Sequence, residues 1–165
     1  MSTVTQEAID DLSEEAASWG RAEATRRGLE NLSFVPRDLA TYDVDAEPEA
    51  FDLVTTFDAV HDQPKPMALL RGIRRTLRAG GVYLMQDIAG HTDVDGNRDH
   101  PLGTFLYAIS TFHCMTVSLA QGGDGLGTLW GEELAGQMLR EAGFGSVEVH
   151  HLPHDPRNAY TVVRP

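Results

Sequence analysis

Three acids close apolar runs in this chain: Asp38 follows LSFVPR, Asp58 follows FDLVTTF and Asp87 follows VYLMQ. In open α/β sheets ligands gather outside the carboxyl ends of parallel strands, where the strand order reverses. A carboxylate in such a place can accept from ribose hydroxyls, an exocyclic amine or an ammonium group, or it can cap the next turn or helix. The residues alone leave both roles open. His61 stands three positions after Asp58 and beside Asp62. It can serve as a general base whose ring is oriented by a carboxylate, or it can fill the turn between strand and helix.

Other candidate motifs carry less. GGDGLG resembles a phosphate loop, but Gly123, Gly125 and Gly127 lack G-x-G-x-x-G spacing and follow a charge-free helix rather than a strand. A lid or connector is expected there. His150, His151, His154 and Asp155 form a histidine-rich run, yet successive strand residues face opposite ways, so no metal site is expected. There is no G-x-S-x-G elbow. Cys114, the single cysteine, sits in an apolar helix and reads as core rather than nucleophile.

The bulk properties exclude several classes. With 165 residues and 41% hydrophobic content, one globular unit with a real core is expected. The net charge of −12 is lopsided, with 15 acids and 4 Lys/Arg in residues 1–62 against 10 and 9 in the remainder. Such a surface repels phosphate backbones, so no nucleic-acid partner is expected. One cysteine and no basic-then-apolar leader before residue 20 point to a reducing, cytoplasmic setting. Pro101 to Gly123 holds no Asp, Glu, Lys or Arg. Its Gly, Ser, Thr, His and Gln content makes it too polar for a span, so an amphipathic helix packed on the domain, and no membrane, is expected.

The elements that must position these residues follow from periodicity and punctuation. Residues 6–28 read as one helix, with Ile9, Leu12, Ala16 and Trp19 on a stripe and Gly28 as its stop. LSFVP is a short strand, 37–50 an acidic loop, Phe51 to Phe57 a strand covered on both faces, and Pro66 to Leu77 a helix with Pro in its first turn. Arg71, Arg74, Arg75 and Arg78 share a face of that helix, either as a basic docking patch or as a solvated face. Gly80-Gly81 turns into a second covered strand, Val82 to Gln86. A final helix capped near Thr128 runs to Ala142 with Gly143 as its stop, and 146–152 and 159–163 close as an antiparallel hairpin.

In this order, DLSEEA, GLENLSFVPRD, FDLVTTFDAVHD, LRAGGVYLMQD, LREAGFGSVEV and NAYTVVRP resemble the later two-thirds of a class I S-adenosylmethionine-dependent methyltransferase. FLYAISTFHCMTVSLAQGGDGLGTLWGEE is similar to the branch in which a winged-helix segment precedes the methyltransferase domain. The resemblance implies an α/β, Rossmann-like three-layer sandwich with a C-terminal antiparallel hairpin, forming one partial domain over 1–165 in which 88–130 covers the substrate. It implies S-adenosylmethionine as cofactor and a small-molecule methyl acceptor. It places Asp11 at the ribose, Asp38 with Leu39 at the adenine edge and Asp58 beside the methionine moiety. His61 then lies where the acceptor approaches the methyl group, the position of a catalytic base.

The family's first strand and its E/D-x-G-x-G-x-G loop have no counterpart before Asp11. The family strand order is 3-2-1-4-5-7-6, so a domain truncated at its N-terminus, without strand 1 and with strand 2 expected to be missing as well, exposes one edge of the strand from Phe51 to Phe57. An open apolar edge seeks pairing. Either LSFVP moves over to it, or a second copy or a partner chain completes the sheet, or the product is a poorly folded remnant of a longer protein. The alternative to an enzyme is a non-catalytic module that pairs through that edge.

Overall fold

The computed structural model describes residues 14–165 in full and 6–11 as backbone. The chain divides into two compact units, one ending at Leu39 and the other running from Ala40 to Pro165.

In the first unit, β1 (Gln6–Asp11) and β2 (Leu32–Arg37) pair in parallel, Gln6 opposite Leu32 through Asp11 opposite Arg37. Helix α1 (Glu14–Arg26) connects them. The single helix expected over 6–28 is thus corrected. Its first part is a strand, because ladder hydrogen bonds to β2 override the helical preference of Gln, Glu and Ala. The helix begins where Glu14 and Glu15 can complement its N-terminus. Its buried face also differs from the expected stripe. Ala17, Gly20 and Ala24 are buried, whereas Trp19 is 72% exposed. Small residues are required there because the Phe34 ring lies where a Cβ on Gly20 would project. Arg21 bonds the Phe34 carbonyl and pairs with Glu14.

The second unit is built on a four-stranded sheet in the order β3-β4-β6-β5, formed by β3 (Phe51–Phe57), β4 (Leu77–Ile88), β5 (Ser146–Leu152) and β6 (Asp155–Arg164). β3 and β4 run parallel, and β6 is antiparallel to both β4 and β5. LSFVP pairs with β1 and not with β3, which stays at the outer position of its sheet. β3 is accordingly not the covered strand expected, since Leu53 is 57% and Phe57 60% exposed.

β4 begins earlier than its apolar run suggested. Leu77 already pairs with Phe51, but the next partners are Leu53 and Val82, so residues 78–81, with Gly80 and Gly81, bulge out of the ladder. Beyond the bulge Tyr83, Met85 and Asp87 share the buried face of β4 and meet Val163, Thr161 and Ala159 across the strand. The Tyr83 ring stacks on Phe144 at 5.9 Å, and its hydroxyl bonds Thr56 at 2.8 Å. Helix α3 (Pro66–Thr76) buries Leu69, Leu70, Ile73 and Thr76 at helical spacing, starting at Pro66 as expected. Gly72 in α3 allows the close approach of Tyr42 from the short helix α2 (Tyr42–Asp45). Arg74 bonds the Gly143 carbonyl, and Arg78 bonds Glu49 and Asp52.

The charge-free segment forms α4 (Gly103–Ile109), a π turn at Ser110–Cys114 and α5 (Met115–Ala120). No helix among the described residues is long and apolar enough to cross a membrane. The last helix, α6 (Glu132–Glu141), starts three residues later than a Thr128 cap would place it. Its first turn is tied to the loop after β4: Glu132 N–H donates to Gly90, Leu134 N–H to Thr92 Oγ1, and the Glu133 carboxylate accepts from Thr92 N–H and pairs with His91 at 2.7 Å. Gly131, at φ +85°, makes this junction possible, since a Cβ there would fall on the His91–Thr92 peptide. Gly131→Ala combines a left-handed backbone with overpacking and is expected to destabilise the fold by about 2–4 kcal/mol, read as a lowered denaturation midpoint. The hydrogen bond to His91 first, and then that from Thr92 N–H, holds Glu133 down to about 2, and the same carboxylate raises His91. The Glu133 contribution is present above its ordinary 4.5 and lost on acidification. That of His91 is present below its ordinary 6.5 and lost as pH rises through its raised value. Glu133→Gln should therefore lower Tm most between about pH 4.5 and 6.5 and less at alkaline pH, as thermal melts across pH will report.

Candidate active site

Asp58 ends β3 with a left-handed φ of 52°, a conformation Asp tolerates better than most residues. Its N–H continues the ladder by donating to the Gln86 carbonyl at 2.9 Å. The chain then turns back across the end of β4 and buries His61 at 2% exposure. His61 Nδ1 lies 2.8 Å from Asp87 Oδ1, which also accepts from Ile88 N–H. A carboxylate partner on Nδ1 fixes that nitrogen as the donor and leaves the lone pair on Nε2. Nε2 is 3.4 Å from Asp62 Oδ1, and Asp58 Oδ1 is 4.0 Å from Nδ1.

Charge in this cluster is dense. Burial disfavours protonation of His61, but the hydrogen bond and charge of Asp87, with the charges of Asp62 and Asp58, outweigh it and raise the imidazole above its ordinary 6.5. Asp58 is held above the usual carboxylate range, mainly by burial; His61 and Arg157 oppose the rise while Asp87 and Asp62 add to it. Burial likewise pushes the Cys114 thiol up to about 11, which suits its expected place in the core rather than nucleophilic attack. Buried and without a hydrogen-bond partner are Asp87 Oδ2, Asp62 Oδ1 and Gln63 Oε1.

The turn is clamped from the charge-free helix. Ser118 Oγ donates to the Gln63 carbonyl, Asp124 N–H to the Pro64 carbonyl and Lys65 Nζ to the Gly122 carbonyl. The glycine loop is the expected connector, with Gly122, Gly125 and Gly127 at positive φ. A cavity of about 280 Å³ lies between the loop after β4 and the start of α4, lined by residues including Asn97, Arg98, His100 and Tyr107.

Of the residues singled out from sequence, the structure brings Asp58 and His61 together. Asp87, noted only as a strand end, proves to be the direct partner of His61. A pairing across 26 residues has no local signature, although the period-two link from Tyr83 and Met85 to Asp87 points it inward. In the other unit Asp38 is exposed just past β2 and Leu39 opens a 3₁₀ turn over Leu39–Thr41. The side chain of Asp11 lies outside the described residues. On β5, His151 bonds Glu132 at 3.0 Å and His150 lies 4.0 Å from Glu148.

A parallel β3-β4 pair, an acid ending β3 and a histidine in the turn beyond it define a Rossmann-like half sheet. A family model for a methyltransferase domain matches residues 10–143. The chain belongs to the class I S-adenosylmethionine-dependent methyltransferase family. Among solved structures it is similar to PigF with SAH (19% identity, TM-score 0.71, covering 98% of this chain and 43% of that one). It is also similar to an O-methyltransferase family protein from Burkholderia thailandensis (16%, 0.72, 97% and 43%) and to the trans-methyltransferase CalH in complex with SAH (17%, 0.66, 97% and 42%). The chain thus spans less than half the length of these structures. No curated protein sequence matches it.

Removing one partner of a buried charged pair leaves the other uncompensated, at a cost of about 3–5 kcal/mol. His61→Ala is expected to destabilise the second unit by about that amount. Chemical denaturation will check this, and a loss under about 1 kcal/mol would mean the bond to Asp87 does not hold the turn.

Proposed function

We propose that residues 1–165 form one partial methyltransferase domain that acts in S-adenosylmethionine-dependent methyl transfer to a small molecule, with His61 as base and Asp87 as the acid orienting it. The observation that carries this reading is the 2.8 Å bond between His61 Nδ1 and Asp87 Oδ1 at the carboxyl end of the parallel pair β3 and β4. S-adenosylmethionine supplies an electrophilic methyl group; a hydroxyl acceptor must lose its proton as it attacks. His61 takes that proton on Nε2, and Asp87 stabilises the charge that forms. Nε2 faces Asp62, whose side chain is 38% exposed and swings aside to admit the acceptor. The SAH in the PigF and CalH structures supports the choice of donor.

The donor contacts we propose are Asp11 at the ribose, Asp38 with Leu39 at the adenine edge and Asp58 at the methionine moiety. Asp58 suits its role because its side chain is 54% exposed at a strand end, where a carboxylate can accept from an ammonium group. The segment 88–130 covers the acceptor, a role supported by the bonds from Ser118 and Asp124 that hold it on the His61 turn.

A second reading, a non-catalytic module pairing with another copy or a partner chain, is favoured by the outer position of β3 and the exposure of Leu53 and Phe57. Titration calorimetry with S-adenosylhomocysteine separates the two. Saturable heat is expected, with affinity falling roughly 10- to 100-fold in Asp58→Asn, as loss of a charge-assisted hydrogen bond implies. No heat from folded protein would reject donor binding by this chain. A strictly monomeric species in light scattering would reject pairing with a second copy.

A further inference from the structure

We propose that His61 Nε2, Asp62 Oδ1 and Cys114 Sγ form a binding site for a divalent cation of the zinc class. Nothing in the methyl-transfer reading requires such a site. The three side chains place one ligand atom each within 4.8 Å of the others. Nitrogen, oxygen and thiolate sulfur together are the mixed donor set that zinc takes in four-coordinate sites. Zinc bonds of about 2.0–2.3 Å at tetrahedral angles separate ligand atoms by roughly 3.3–3.6 Å. Nε2 and Asp62 Oδ1 already stand 3.4 Å apart.

Two further observations point to a cation. Asp62 Oδ1 is buried and makes no hydrogen bond of full geometry, and the groups it faces are the other two ligands, His61 Nε2 at 3.4 Å and the Cys114 thiol. Asp87 occupies Nδ1 at 2.8 Å. A carboxylate on the far nitrogen of a ligating histidine is the arrangement that orients the ring and raises its basicity toward a metal. The same bond removes the other candidate trio, Asp58, His61 and Asp87, from consideration, because Nδ1 is already engaged.

Cys114 comes from the π turn between α4 and α5 and is 5% exposed, with Thr128 Oγ1 3.0 Å from its sulfur. On binding, the thiol proton leaves to solvent and the thiolate closes the third bond. The fourth position is open to water. Such an ion ties the turn after β3 to the helix above it and takes the Nε2 lone pair, so a loaded chain cannot use His61 as a base.

Cobalt(II) titration of the metal-free full chain is the test, followed in the visible and near ultraviolet. The expected result is a one-to-one complex with intense tetrahedral d–d bands and a thiolate-to-cobalt charge-transfer band, both lost when zinc is added. Cys114→Ser, nearly isosteric, should abolish the charge-transfer band and weaken zinc binding by at least about 100-fold, more than loss of an outer-shell partner alone. Asp62→Asn, on a partly exposed side chain, should weaken it while leaving near-ultraviolet circular dichroism unchanged. A weak octahedral spectrum, or a charge-transfer band that persists in Cys114→Ser, would overturn the proposal. S-adenosylhomocysteine calorimetry on the same metal-free samples keeps the two readings apart. Heat without a cobalt band removes the metal site alone, and a cobalt band without heat removes donor binding alone.

Discussion

The hydrogen bond between His61 and Asp87 is the constraint on which the rest of the site depends. Strand alternation sends Asp87 to the same buried face as Tyr83 and Met85, where it is 4% exposed. A carboxylate in that position demands compensation. Ile88 N–H supplies one bond, and the imidazole supplies the other together with its opposing charge. For the imidazole to arrive, the chain must reverse sharply at the end of β3, and Asp58 does this in a left-handed conformation. The buried acid on one strand thus dictates the path of the turn leaving its neighbour.

That dependence explains which features were legible in the sequence. β3 was readable to the residue, α3 to within one, and the C-terminal hairpin in outline, because each is a local pattern: an apolar run, a Pro start, two strands separated by polar residues. β1 was not readable, since Gln, Glu and Ala favour a helix and only the partner strand β2 makes Gln6–Asp11 extended. The buried face of α1 was misread for a related reason. A stripe drawn through the largest apolar residues chose Trp19, whereas the close approach of Phe34 selects small ones such as Gly20. Of the site, Asp58 and His61 were visible as residues at a strand end. Their geometry was not, because the acid that positions the ring lies on another strand.

The glycine loop shows how a motif that fails one chemistry can serve another purpose. GGDGLG has neither the spacing nor the preceding strand of a phosphate loop, and its left-handed glycines instead route the chain around Ser118 and Ser110. Ser118 Oγ accepts from Gly125 N–H, and Ser110 Oγ accepts from Thr128 N–H. Side chains at Gly123 and Gly127 would strike Pro64 and Ser110 respectively. The loop therefore brings the helical cover onto the His61 turn by backbone contact. The helical segment and the turn that carries His61 are one packed unit.

A histidine ring offers two nitrogens, and in this cluster their roles are divided by their neighbours. Nδ1 belongs to Asp87, which leaves a single lone pair, at Nε2, for any chemistry. Proton acceptance from an acceptor hydroxyl and coordination of a cation with Asp62 and Cys114 are competing uses of that lone pair, so only one can operate at a time. Both require the same bond on the opposite nitrogen, since without it the tautomer is free and the ring can turn. In the two proposed readings Asp62 separates them: its carboxylate, 3.4 Å from Nε2, is a ligand in the cation reading and has to leave that position in the methyl-transfer reading. The adjacency of His61 and Asp62 in the chain, which at first suggests a carboxylate that orients a base, instead places Asp62 on the reactive side of the ring, while orientation comes from the neighbouring strand.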